Sequence, residues 1–326
     1  MNPHPIPTLP LVNGAFLIDN STLEKLKCPR LYQLEALNKR VLADAKAGRN
    51  FGSTLHRGWE VRSKLCGNKA VNSDYVPLIN NAMLEWLNDN PQPLEDFRNF
   101  NHACEVMRVY NNYYKDEPYK ILINPKTLDP LVECSFALPL GTVWNTPVLW
   151  CGKLDLLTEW DTGVWAGPDH KTTFQFGENW EKSMMTDSGQ CGYTWAARQV
   201  LGPSVKVNGY IIDGVRIRAP RKKDLYDEDK PPVDKTDFKR IPYYVSDDDI
   251  EEWKEDTLAL IADIFHHHSR SFFPRSRPHC VGKFGPCDMF NICTLPRARR
   301  HDALMGTAYE DNHWSPLKQV EEATHH

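Results

Sequence analysis

Apolar positions recur at helical spacing through the first third of the chain and then give way to strand-like runs. Ser21, followed three residues later by Glu24, reads as a capping box in which hydroxyl and carboxylate satisfy free amides at a helix start. That helix continues through CPRLYQLEAL, with Pro29 bending or restarting it. FGSTLHRGWEVRSKLC, residues 51–66, predicts a second helix, and residues 75–116 predict two more, broken at Asn90-Pro91. LVECSFALPL (131–140), PVLWCGKLDLLTEW (147–160) and GVWAGPDHKTT (163–173) are rich in β-branched, aromatic and leucine residues and predict three successive strands. SMMTDSGQCGYTWAARQVLG (183–202) returns to helical spacing, with Gly202 as the C-cap. VKVNGYIIDGVRI (205–217) reads as a strand. DDDIEEWKEDTLALIADIFHHH (247–268) reads as a helix whose aspartates and histidines match its dipole.

The segments between are assigned by composition. Residues 1–20, proline-rich, read as an extended arm, and residues 296–326 as a polar tail. The charged, proline-bearing stretch 219–243 reads as an exposed insertion without a core role. The body of the fold is then expected at 21–295.

With 326 residues, 41% of them apolar and 25% charged, the chain can bury the core of one large domain or two ordinary ones. A net charge of -4 excludes a uniformly basic nucleic-acid coat and leaves room for a local basic groove. No run of 18 apolar residues occurs and the start MNPHPIPTLPLVNG does not resemble a secretion signal, so no membrane span and a cytoplasmic location are expected. Nine cysteines, an odd number, argue against a disulfide framework and toward metal ligation.

One run raises a chemical question. Asp161-Thr162-Gly163 reads as a three-residue hairpin loop, and the register it sets pairs residues whose numbers sum to 324, placing Asp155 opposite Asp169 with Lys171 on the same face. Two carboxylates so placed repel unless a cation lies between them. A divalent ion, Mg²⁺ or Mn²⁺, meets that need; an ordinary cross-strand salt bridge is the alternative. Acid-x-Lys also occurs at Glu228/Lys230, Asp237/Lys239 and Glu252/Lys254. Only the Asp169 copy follows a strand-turn-strand pattern with a second aspartate opposite.

Several segments together resemble the PD-(D/E)XK nuclease superfamily, and within it the RecB-like exonuclease branch that includes the AddB nuclease domain and CRISPR-associated exonucleases. CPRLY (28–32) is similar to the family's Cys-Pro helix, GSTLH (52–56) to its Gly-x-x-x-His helix, and GKLD (152–155) and DHKT (169–172) to its two core motifs. QCGY (190–193) is similar to its Gln-x-x-Tyr helix. The resemblance implies an α/β fold with a central mixed β-sheet flanked by helices, the restriction-endonuclease-like core. It implies Asp155 and Asp169 as metal ligands, Lys171 as the catalytic lysine, and His56 and the backbone carbonyl of His170 as further ligands. Gln190 and Tyr193 would organise the site or the DNA strand, and Glu133 is a weaker candidate on the preceding strand. The second acid is Asp169, where Glu is the family's more usual choice.

Cys280, Cys287 and Cys293 leave one position of a four-ligand set open, and Cys28 is the fourth candidate. The family resemblance implies a 4Fe-4S cluster joining the N- and C-terminal segments, with Cys₄ zinc as the alternative; the gap from Cys280 to Cys287 is longer than many relatives show. Cys66, Cys104, Cys134, Cys151 and Cys191 read as buried free thiols, with Cys151 and Cys191 near the expected site. The function implied is a Mg²⁺- or Mn²⁺-dependent deoxyribonuclease, an exonuclease on single-stranded DNA ends in phage DNA metabolism, recombination or repair, with a helicase or recombination partner. Tyr193, Trp195 and Trp59 are candidate stacking aromatics. The alternatives are a non-catalytic DNA-binding or helicase-accessory protein and a sequence-specific endonuclease of the same superfamily.

Overall fold

The computed structural model describes residues 8–43, 46–90, 97–124, 127–219, 233–282 and 285–312. In chain order the first half holds β1 (Leu11–Val12), β2 (Ala15–Ile18), α1 (Asn20–Leu26), α2 (Pro29–Tyr32), β3 (Arg40–Leu42), α3 (Lys46–Cys66), α4 (Val76–Asp89) and α5 (Phe100–Tyr113). Then come β4 (Tyr119–Ile121), β5 (Val132–Val143), β6 (Thr146–Trp160), β7 (Gly163–Thr173), α6 (Glu178–Met185), α7 (Ser188–Leu201), β8 (Val207–Arg216) and β9 (Phe238–Tyr244). The chain continues through α8 (Asp247–Ser269), β10 (Val281–Gly282), β11 (Gly285–Pro286), α9 (Phe290–Thr294), α10 (Arg300–Leu304) and β12 (Tyr309–Asp311).

The fold is α/β, with helices flanking a central mixed sheet of eight strands. The sheet runs β1-β2-β6-β7-β8-β9, and β4 and β5 also pair with β6. β2 with β6 and β7 with β8 are parallel, while β6 with β7 and β8 with β9 are antiparallel. A parallel neighbour requires a crossover, and α6 and α7 supply it between β7 and β8.

Two compact units share the chain: residues 1–45, 135–152 and 248–326 form one, and residues 46–134 and 153–247 the other. In the first, α8 turns a stripe of Ile250, Trp253, Thr257, Ile261, Ile264 and Phe265 inward, the three-to-four spacing of a buried helix face. Phe16 of β2 meets Phe265 edge-on at 5.3 Å, and Trp150 of β6 meets Trp253 at 5.1 Å. The arm expected at 1–20 is therefore a strand at its distal end: Ala15–Ile18 is a continuous apolar run and every position is buried. The helix that follows is capped at Asp19 rather than at Ser21, because the Asp19 carboxylate accepts from Thr22 N at 2.7 Å.

Over its described residues, 296–312, the polar tail is structured. β12 pairs antiparallel with β3, and Leu304 and Tyr309 are buried with Leu34, Met289, Ile292 and Cys293. Two apolar residues among many charged ones suffice here because Arg40 satisfies the backbone, donating to Leu304 O and Tyr309 O and pairing with Asp311 at 2.7 Å. Residues 313–326 of the expected tail lie outside the described residues.

In the second unit α3, α4 and α5 bury Phe51, Leu55, Trp59, Ile79, Met83, Val106, Met107 and Tyr110 against Val215, Ile217, Val233 and Phe238. The last two overturn part of the expectation for 219–243. Phe238–Tyr244 is strand β9, laddered to β8 from Val215↔Phe238 to Gly209↔Tyr244; residues 220–232 lie outside the described residues. The single helix expected over 183–202 is two, because Asp187 caps a new start by accepting from Gly189 N at 2.8 Å. Gly202 ends the second at φ +79°, as its sequence position predicts.

Candidate metal centre

All the candidate residues except the cysteines belong to the second unit. Gly52 allows α3 to lie close over β7, since a Cβ there would stand 3.2 Å from Thr172 Oγ1. One turn on, His56 faces β6, with Nδ1 3.4 Å from Asp155 Oδ2. Glu133 joins them from the start of β5 at φ +56°, an uncommon backbone state for a residue with a Cβ. Among the described residues, His56, Glu133 and Asp155 are the one set of three or more metal-ligating side chains whose donor atoms lie within 4.8 Å of one another. They line a cavity of about 10 Å³ with Trp59, Ser63 and His170, about the room one water or one bare cation occupies.

The hairpin register differs from the expectation. Trp160 pairs with Gly163 and Leu157 with Ala166, so the numbers sum to 323 and the turn is the two residues Asp161-Thr162. Extended without change, that ladder would turn Asp169 away from Asp155. The backbone of β7 instead changes register against β8 between Ala166 and Asp169. Gly167 makes this possible: it sits at φ +104°, and a Cβ there would stand 2.4 Å from Ile211 O. Past this irregularity Asp155 Oδ2 accepts from the amide of His170 at 3.2 Å, and Asp169 interacts electrostatically with both Asp155 and His56.

Asp169 is engaged differently from Asp155. Its carboxylate pairs with Lys171 Nζ at 2.7 Å and interacts electrostatically with Tyr210. Tyr193 stacks on Tyr210 at 5.7 Å and adds to the field at Lys171, whose side chain is 37% exposed. Gln190 is buried, and its amide nitrogen has no hydrogen-bond partner among the described residues. The compact donor set thus contains Glu133, the weaker sequence candidate, while Asp169 holds the lysine. The only sequence signal for Glu133 was an acid on the strand before β6.

His170, which also borders the cavity, is 4% exposed. The ring stacks on Trp59 at 4.1 Å and 16°, with Nδ1 3.4 Å from Asp213 Oδ2. Behind it lies a buried polar network that the sequence reading missed. Tyr110 Oη donates to Asp213 at 2.5 Å, Arg240 bridges Asp213 and Glu117, and Arg62 reaches Glu117 at 3.4 Å. Asp213 could have been noticed as a lone carboxylate inside the apolar strand YIIDGV. Trp59 and Trp195 are 2% and 7% exposed, so neither is a stacking surface for DNA. Cys151 lies beside Ile18 and Asp19 in the first unit rather than at this site.

The charges at the cavity hold protons that a cation would displace. Burial and then Asp155 push the Glu133 carboxyl up to about 8. Burial favours neutral His56, but Asp155 overrides it and raises the imidazole to about 9. Burial and repulsion by Asp155 also raise Asp169 despite Lys171. Asp155 itself, although buried, is lowered by His56, His170 and Lys171.

Raised groups contribute stability in full below their unfolded values, 4.5 for Glu and 6.5 for His, and lose it as pH climbs through the folded ones. The metal-free protein is therefore expected to lose thermal stability between about pH 4.5 and about pH 9, the window these two groups define. Added Mg²⁺ should raise Tm more at the upper end, because it then replaces no protons. Differential scanning fluorimetry with Mg²⁺ or chelator reads both effects; a Mg²⁺ increment that shrinks with pH would contradict the assignment of these donors.

In the first unit Cys28, Cys280, Cys287 and Cys293 form a group. Cys287 feels Cys28 and Cys293, and Cys293 feels Cys28 and Cys280. Ser276 ties two of them, its amide donating to Cys28 Sγ at 3.4 Å and its carbonyl accepting from Cys280 Sγ at 3.7 Å.

No family model matches the chain, and no curated protein matches it. The functional reading therefore rests on the site's own geometry and on the motif resemblance. No helix among the described residues is long and apolar enough to cross a membrane.

Proposed function

We propose that the protein is a divalent-metal-dependent nuclease that hydrolyses phosphodiester bonds in DNA. The observation that carries this reading is the clustering of His56, Glu133 and Asp155 around a cation-sized cavity, with the Asp169–Lys171 pair electrostatically joined to it. One imidazole and two carboxylates are a donor set suited to Mg²⁺ or Mn²⁺. Such an ion, when bound, supplies Lewis acidity toward a phosphate oxygen.

The chain's own groups do the rest. Asp169 keeps the Lys171 ammonium charged, its pKa raised against the opposing effect of burial. That ammonium is the partly exposed donor able to orient an attacking water or to meet charge developing on the phosphate. The His170 amide fixes the Asp155 carboxylate, and the ring of His170, clamped by Trp59 and Asp213, holds that amide in place. Tyr193 and Gln190 line the α7 side. Single-stranded DNA ends, a helicase or recombination partner and a cytoplasmic setting follow from the resemblance alone.

The four cysteines are a donor set for a 4Fe-4S cluster, which the resemblance favours over a Cys₄ zinc site.

The test is cleavage of an end-labelled oligodeoxynucleotide by anaerobically purified protein. Cutting is expected with Mg²⁺ or Mn²⁺ and not with chelator, from a brown protein containing about four irons. Metal-independent cutting, or none under any divalent ion, would remove the nuclease reading; a colourless protein with zinc would remove the cluster alone.

A further inference from the structure

The proposed chemistry makes no use of one markedly basic stretch of the chain. From Phe265 to His301 the sequence holds seven Lys or Arg against a single acid, Asp288, although the whole chain carries a net charge of -4. The fold gathers this charge within the unit that holds the cysteines. Arg30 donates to Phe273 O at 2.9 and 2.7 Å, Arg275 to Cys293 O at 2.6 Å, and Arg300 to Leu295 O at 3.0 Å. The guanidinium groups are close enough that Arg300, Arg275 and Arg297 all repel Arg30.

Capping of carbonyls accounts for Arg30, Arg275 and Arg300. It does not account for Arg297 and Arg299, which are exposed and have no carboxylate partner among the described residues. Exposed guanidinium groups such as these two, without a carboxylate partner, are stabilised by a polyanion, and the guanidinium fork matches the geometry of phosphate. Phe272, next to the carbonyl that Arg30 grips, is 51% exposed. An exposed ring beside a basic surface is the combination that holds unpaired bases, since every base has a face to stack.

We propose that this surface binds the backbone of single-stranded nucleic acid, with Arg297 and Arg299 meeting phosphates and Phe272 stacking on a base. The choice of DNA as the polymer rests on the nuclease reading; the surface itself does not.

The test is fluorescence anisotropy of a labelled oligothymidylate in chelator, so that binding is read without turnover. The double variant Arg297→Glu/Arg299→Glu, on exposed positions, is expected to bind on the order of 10-fold more weakly. Its plot of log affinity against log salt should be shallower by about 0.7 for each phosphate that the variant no longer neutralises. Arg297→Gln/Arg299→Gln should show the same slope change with a smaller drop in affinity, and Phe272→Ala should weaken binding with no slope change. An unchanged Tm in each variant assigns the effect to the surface.

Equal affinity and slope in wild type and both double variants would overturn the proposal. So would stronger retention on anionic phospholipid vesicles than on the oligonucleotide. The two readings fail separately. A protein that binds through this surface and never cuts removes the nuclease and leaves the surface; one that cuts normally while the arginine variants bind unchanged does the reverse.

Discussion

Asp155→Asn is expected to lose divalent-ion binding and to cleave DNA at least about 1,000-fold more slowly than the wild type. Asp155 is the residue that every other member of the centre meets: it lies 3.4 Å from His56, beside Glu133, and accepts from the His170 amide. Asparagine keeps the shape and one acceptor for that amide, so the hydrogen bond that orients β7 survives while the charge is removed. Isothermal titration with Mg²⁺ and single-turnover cleavage read the two effects. The same variant should drop the His56 pKa, because Asp155 is what raises it against burial, and an NMR titration of the imidazole would show this independently of activity. Lys171→Ala should separate from it, retaining ion binding while cleavage falls by about 100- to 1,000-fold. Cleavage within a few-fold of wild type in Asp155→Asn would retire the centre as a catalytic site.

Arg240→Met is expected to destabilise the fold by about 3–5 kcal/mol. Arg240 is largely buried, bonds to Asp213 and Glu117 together, and lies 3.6 Å from the Tyr114 ring centroid. Its removal leaves two buried carboxylates with Arg62 as their remaining cation, since burial lowers the His170 pKa, and burial of unpaired charge is the expensive outcome. Urea denaturation should show a lower midpoint with an unchanged slope. Adding Glu117→Gln should recover part of the stability, since one uncompensated charge is then gone; strict additivity of the two substitutions would mean that the residues do not act as a network. The network also bears on the centre: Asp213 braces the His170 ring, whose amide holds Asp155.

What the sequence disclosed about this protein follows the range of the interaction involved. Long periodic segments such as α3, α5 and α8 were legible because their inward faces repeat every three or four residues, and β5 to β7 because turn residues bound them. The motif residues of the centre were legible through resemblance. The register was not, because the count across Asp161-Thr162 slips by one and the compensating irregularity at Gly167 depends on the neighbouring strand at Ile211. Glu133 gained its place from a single backbone conformation at the start of β5. Arg62, Tyr110, Glu117, Asp213 and Arg240 come together across separations of up to 130 residues, as between Tyr110 and Arg240, which no local pattern reports. Charged composition around 219–243 and 296–312 concealed the few apolar residues, Val233, Phe238, Leu304 and Tyr309, that decide whether such a segment folds.

The pairing of β3 with β12, residues 40–42 with 309–311, sets an order of events at the ribosome. Cys28 leaves the exit tunnel roughly 250 residues before Cys280, and Arg40 waits longer still for the carbonyls it will satisfy, so this pairing cannot close until residues 309–311 have emerged.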